Sequence, residues 1–157
     1  MTTYIRDGRA PIPKTESTSR LMSSIKAKDT KPEILLRKAL WQEGLRGYRL
    51  HPKQLPGRPD IAFSKNKIAV FINGCFWHRC PTCDLPLPKS NTAFWENKFN
   101  ANINRDVKKI NALKAIGWTS ITVWECEIHS TPTGPVARIK SLLNGMFEGV
   151  KDRPLLR

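Results

Sequence analysis

Residues 55–78 read LPGRPDIAFSKNKIAVFINGCFWH, and this stretch decides the fold. It opens on the turn-forming Leu55-Pro56-Gly57-Arg58-Pro59, runs through Asp60 to Phe63, pauses at Ser64-Lys65-Asn66, and returns from Lys67 to Ile72. Two short apolar runs joined by a polar connection predict a β-hairpin. Tyr48 to His51 supplies a third strand-like piece just upstream. Asp60 follows Pro59 at the start of a strand, and Ile68 to Asn73 comes back beside it. That placement aims a carboxylate at a site where a hard cation can bind, although a lone aspartate at a turn is by itself read first as a solvated turn residue.

Working outward, Asp29-Thr30-Lys31-Pro32-Glu33 predicts a helix start, with Thr30 as cap, Pro32 in the first turn and Glu33 three positions on, as in a capping box. The helix extends to about Trp41 and stops at Gly44. Ile34, Leu35, Leu36, Ala39, Leu40 and Trp41 form its apolar stripe. Downstream, Gly74 to Pro88 is a cysteine-rich loop, Asn91 to Ile116 a long helix ended by Gly117, Trp118 to Ile128 a strand, and Pro135 to Phe147 a closing helix. Helices on either side of a strand cluster imply a mixed α/β layer architecture. The 157 residues suit one domain. We expect a flexible basic N-terminal arm (1–18), a single domain (19–150) and a basic tail (151–157).

Lys and Arg number 27 against 13 Asp and Glu, a formal charge of +14. So large an excess fits a polyanionic partner, and nucleic acid fits best, because neutralised phosphates release counterions. No apolar run has the length a bilayer requires, and the first twenty residues lack a secretory signal. A cytoplasmic location follows as the expectation. In a reducing compartment the four cysteines read as metal ligands or buried thiols rather than disulfides.

Cys75, Cys80 and Cys83 fall in a C-x4-C-x2-C pattern, and Cys126 arrives on a later segment. Four thiolates suit tetrahedral zinc, and a site filled by protein sulfur leaves no position for water, so such a metal is structural. An iron–sulfur cluster takes the same ligands. The chemistry must lie elsewhere. Phosphodiester hydrolysis needs a divalent cation, and magnesium prefers oxygen ligands such as Asp60. His78 can move a proton near neutral pH, or serve as a surface residue or alternative zinc ligand. Glu33 completes a cap or faces the metal. Glu125 and Glu127, alternating with Trp124 and Cys126 on a strand, would be solvated. Phe76 and Trp77 sit in the cysteine loop and Trp95 on the long helix, all beside basic residues. Wedges of this kind open flexible or mismatched base steps. Exposure suits Phe76 and Trp77, whereas Trp41, Phe94, Trp118 and Trp124 read as core.

Three separated motifs, Leu55-Pro56-Gly57-Arg58-Pro59-Asp60, Phe71-Ile72-Asn73-Gly74-Cys75-Phe76-Trp77-His78 and Val123-Trp124-Glu125-Cys126, closely resemble the very-short-patch repair (Vsr) endonucleases. The likeness runs from about Ser19 to Ile128 and takes in Arg20 to Thr30 and the segment from Phe94-Trp95 to Arg105-Asp106. It implies a restriction-endonuclease-like (PD-(D/E)XK-type) mixed sheet flanked by helices, with a structural zinc site at Cys75, Cys80, Cys83 and Cys126. It also implies magnesium-dependent nicking of one strand beside a T:G mismatch left by 5-methylcytosine deamination, and hence a link to a cytosine-5 DNA methyltransferase. By position it assigns magnesium to Asp60 and to the backbone carbonyl of Ile72, proton transfer to His78, an active-site place to Glu33, and intercalation to Phe76, Trp77 and Trp95.

Two positions depart from the pattern. Asn73 stands where the best-known member has a second active-site histidine; an amide orients water or phosphate but is no base. Cys80 replaces a zinc-binding histidine, a swap zinc tolerates. The competing readings are a Vsr-like restriction enzyme cutting both strands of foreign or modified DNA, and a zinc-stabilised DNA-binding module without catalysis. Nicking one strand suits a monomer.

Overall fold

The computed structural model describes residues 15–145. Along the chain lie α1 (Glu16–Ser24), α2 (Lys31–Gln42), β1 (Arg49–Leu50), β2 (Ile61–Phe63), β3 (Ile68–Asn73), α3 (Thr92–Ala115), β4 (Thr119–Trp124), α4 (Glu125–Ser130) and α5 (Thr133–Leu143). The four described strands form one mixed sheet in the order β1-β2-β3-β4. The hairpin is present: β2 and β3 pair antiparallel, Ile61 opposite Val70 and Phe63 opposite Ile68. β3 then pairs parallel with β4, Ile72 opposite Val123. A parallel neighbour needs a long crossover, and the 24 residues of α3 supply it.

β3 is buried at almost every position because both faces of the sheet are covered. Alternation sends Ile68 and Val70 to one side, where they meet Leu36 and Leu40 of α2, Ile128 of α4, and Val136 and Ile139 of α5. Ala69 and Phe71 point to the other, against Leu113 of α3. The hairpin is therefore the centre of the molecule, and its open end, Asp60 and Ile72 to Gly74, emerges between α2 and α3.

Several expectations are corrected. The strand expected over Trp118 to Ile128 stops at Trp124, where Glu125 starts α4. Glu127 drives the switch: its carboxylate accepts the Trp124 N–H at 2.8 Å and pairs with Arg138 at 2.9 Å. Neither Glu125 nor Glu127 is simply solvated. Trp41 is not core but 59% exposed, stacked under the Arg46 guanidinium. Thr30 does not accept a backbone N–H; its hydroxyl donates to Glu33, whose other oxygen accepts from the Asp29 N–H. Residues 16–18, expected as part of the arm, begin α1. The rest of the arm to residue 14, Phe147 and the tail (151–157) lie outside the described residues. The closing helix ends at Leu143.

Candidate active site and metal centre

One cleft brings together the start of α2, the turn before β2, the end of β3 and the middle of α3, and Glu33, Asp60, Ile72, Asn73, His78 and Lys109 all line it. On its first side, Asp60 accepts the Ile72 N–H at 2.7 Å, so the carboxylate is fixed against the strand that returns beside it. His51 stands between Asp60 and Glu33, with Nδ1 3.8 Å from Asp60 Oδ1 and Nε2 3.2 Å from Glu33 Oε2. The buried His51 Nε2 has no hydrogen-bond partner among the described residues. Glu33 is 5% exposed and, with Asp29 and His51, offers donor atoms all within 4.8 Å of one another. Burial raises the Asp60 carboxyl above its ordinary range and Glu33 adds to this, while the Ile72 N–H opposes both. A carboxylate that is costly to ionise alone gains from a bound cation, which fits hard oxygen chemistry at this point.

On the second side, His78 Nδ1 lies 2.6 Å from Asp106 Oδ2, and the Asn73 amide donates to the same oxygen at 3.4 Å. Lys109 Nζ holds Asp106 Oδ1 at 2.6 Å. Burial would raise the Asp106 carboxyl, but the His78 hydrogen bond and the Lys109 ammonium outweigh it and hold it below the usual range. Against an ionised carboxylate, His78 Nδ1 must be the donor, which leaves Nε2 as the atom able to accept or deliver a proton.

The four cysteines converge, with their Sγ atoms within 4.8 Å of one another and Cys80 Sγ 3.8 Å from Cys126 Sγ. Two sulfurs of a tetrahedral zinc site at the usual ~2.3 Å bond length are about 3.8 Å apart. The group can therefore hold a metal ion. Burial pushes the Cys75 thiol up, and Cys126 up to about 11, whereas backbone N–H groups of Cys83 and Thr82 bring Cys80 down against its own burial. Cys126 occupies the first turn of α4 rather than a strand. The preceding Glu125 accepts the Cys75 N–H at 3.2 Å, tying the loop to the sheet end.

Phe76, Trp77 and Trp95 are half-buried, the first two less open than expected, because they pack on one another with ring centroids 5.2–5.8 Å apart. Phe99 underlies the group, and Asn102 of α3 donates to the Trp77 carbonyl at 2.8 Å.

All the anticipated residues thus fall into three adjoining clusters. Sequence reasoning missed His51, Asp106, Lys109 and Glu125. His51 carried a weak signal as the end of a strand running toward the Pro-Gly turn. Asp106 carried only its place at the end of the matching segment from Phe94-Trp95, and Lys109 none, since nothing local says which face of a long helix meets a loop 28 residues away.

Residues 12–84 match the family described as DNA mismatch endonuclease Vsr. The chain is 42% identical over 138 residues to the type II nicking enzyme V.NmeAIP of Neisseria meningitidis serogroup A, covering 88% of this chain and 94% of that one. It is 35% identical over 111 residues to the DNA mismatch endonuclease Vsr of Escherichia coli K12, covering 71% and 70%. The type II nicking enzyme V.NaeI of Lentzea aerocolonigenes is 38% identical over 146 residues, 90% and 86% of the two chains.

Proposed function

The chain belongs to the Vsr family of DNA mismatch endonucleases, and from that premise we propose that it nicks one strand of duplex DNA beside a T:G mismatch by magnesium-dependent hydrolysis, on a PD-(D/E)XK-type framework. The observation that carries the reading is the opposition, across one cleft, of a half-buried carboxylate at Asp60 and an imidazole at His78 whose free nitrogen is set by Asp106.

Asp60 and the Ile72 carbonyl would hold magnesium, which supplies a polarised phosphate and an activated water when bound. His78 transfers the proton through Nε2. Asn73, which cannot take a proton, orients phosphate or water and shares Asp106 with His78. Glu33 holds water at the far side of Asp60. Phe76, Trp77 and Trp95 form the wedge that enters an unstacked step, at least cost where the pair is already mismatched. Cys75, Cys80, Cys83 and Cys126 would hold zinc, which would keep the loop bearing His78 in place. The substrate arises where 5-methylcytosine deaminates, so a cytosine-5 methyltransferase generates the sites this enzyme meets. It acts as a monomer on one strand.

The test is nicking of end-labelled T:G and matched duplexes with magnesium. Wild type should cut the T:G strand in preference, and Asp60→Ala should lose activity by a factor on the order of 10³, several kcal/mol of charge stabilisation. Undiminished cutting by Asp60→Ala would reject the site, and equal cutting of both strands of matched duplex would favour restriction over repair.

A further inference from the structure

Lys109 lies one turn after Asp106 on α3, a spacing that usually gives a solvated surface pair of little consequence. Here both partners are largely enclosed, their side chains 16% and 17% exposed. The Lys109 stem runs beneath the turn that delivers Asp60. A methyl group at Gly57 would collide with it, lying 2.9 Å from Cγ and Cδ, so only a glycine lets the turn dock there. From the other side Nζ sits 4.1 Å over the Phe71 ring. A side chain that is otherwise among the most mobile is clamped between β3, the turn 55–59 and α3.

The clamp has a chemical consequence. A DNA phosphate entering the cleft meets Glu33, Asp60 and Glu125 beside Lys26 and Arg58, and Asp106 lines the adjoining hollow that shares His78 and Lys109 with it. Asp106 must stay ionised to orient His78, yet an uncompensated charge there repels the substrate. We propose that Lys109 is a positioning residue of the reaction, acting through Asp106: its ammonium fixes one carboxylate oxygen so that the other serves His78 and Asn73, and it offsets the charge that would oppose the phosphate. Asn73 gives this added weight, because with an amide at that position His78 is the one imidazole bonded to Asp106. This role rests on the nuclease reading above.

The test is steady-state nicking of a T:G duplex by wild type, Lys109→Met, Lys109→Arg, Asp106→Asn and the Lys109→Met/Asp106→Asn double variant, with thermal unfolding of each. Alongside it, ¹⁵N spectra of the histidine side chains report which ring nitrogen of His78 carries hydrogen. Lys109→Met should lower kcat by roughly 10–100-fold, the scale of a small misplacement of a reacting group, and raise KM by a smaller factor because an unpaired Asp106 opposes the phosphate. Lys109→Arg should restore most of it. On the Asp106→Asn background the Lys109 change should add nothing, since its effect passes through that carboxylate. The His78 signal should move from the form protonated at Nδ1 toward a mixture of tautomers. Additive losses in the double variant, or a His78 spectrum unchanged by Lys109→Met, would overturn the proposal. A wild-type protein that nicks no duplex would sink the nuclease reading alone, and the spectra would still decide the part played by Lys109.

Discussion

At the scale of single residues, Asp60 is held at the expense of the apoprotein's stability. Its carboxyl is raised by burial and by Glu33, so its contribution is most favourable at pH values below the ordinary carboxylate range near ~3.9 and is lost as pH climbs through the raised value. Asp106 runs the other way: its depressed carboxyl stabilises above that range, and the contribution is lost as pH falls through the lowered value. At neutral pH the first residue costs stability and the second adds it. Asp60→Asn keeps an oxygen for the Ile72 N–H while removing the charge. Without divalent metal at pH 7 it should melt higher than wild type, by roughly 2–4 °C if the change is worth about 1 kcal/mol, and the gain should shrink toward pH 4. A variant that melts lower at every pH would mean that the charge is compensated inside the protein already. Asp60 was legible in the sequence because the Pro-Gly turn and the hairpin mark its place. The contacts of Asp106 and Lys109 were not, because they come from the rotation of α3 against the sheet, a tertiary fact, and the matching segment that ends at Asp106 did not say what it would meet.

At the scale of elements, the loop from Gly74 to Pro88 contains no long helix or strand of its own. Its order comes from four anchors: the cysteine cluster, Glu125 on the Cys75 N–H, Asn102 on the Trp77 carbonyl, and the aromatic stack. Metal removal should therefore release the loop while leaving the sheet intact. Treatment with a strong zinc chelator, or Cys126→Ser, should lower thermal stability by several kcal/mol and abolish nicking that added magnesium cannot restore. Far-ultraviolet circular dichroism should change little, since α3 and the hairpin stand on Leu113, Phe71, Val70 and Ile61. Full nicking after the chelator has stripped all metal would show that the loop stands without it. The cysteine spacing announced this cluster before any coordinates, as did the runs that became β2, β3 and α3. The end of β4 was hidden for a definable reason: Trp124-Glu125-Cys126 continues an alternating pattern, and only the reach of Glu127 back to the Trp124 N–H turns the chain into α4. Trp41 misled because helical spacing defines a stripe without fixing its width.

At the scale of the whole molecule, the proposed reading divides the work of binding DNA between a +14 chain and an aromatic wedge, two terms that salt can separate. Contacts to phosphate are indifferent to the base pair and release counterions. With about 6–8 phosphates neutralised, the logarithm of affinity should fall with the logarithm of salt at a slope of roughly −5 to −7, for matched and T:G duplexes alike. On that reading the wedge of Phe76, Trp77 and Trp95 would act by stacking, worth ~1–3 kcal/mol per base, a term weakly dependent on salt. The two lines should therefore run parallel, displaced by the preference for the mismatch. Trp95→Ala should bring them together without changing their slope, whereas removal of a surface lysine or arginine that touches phosphate should flatten both by about one unit and leave the gap. Fluorescence anisotropy across a salt series measures all of this. A gap that closes as salt rises would mean that the mismatch is discriminated by charge instead, and the stacked trio would then be a structural plug beneath the cysteine loop.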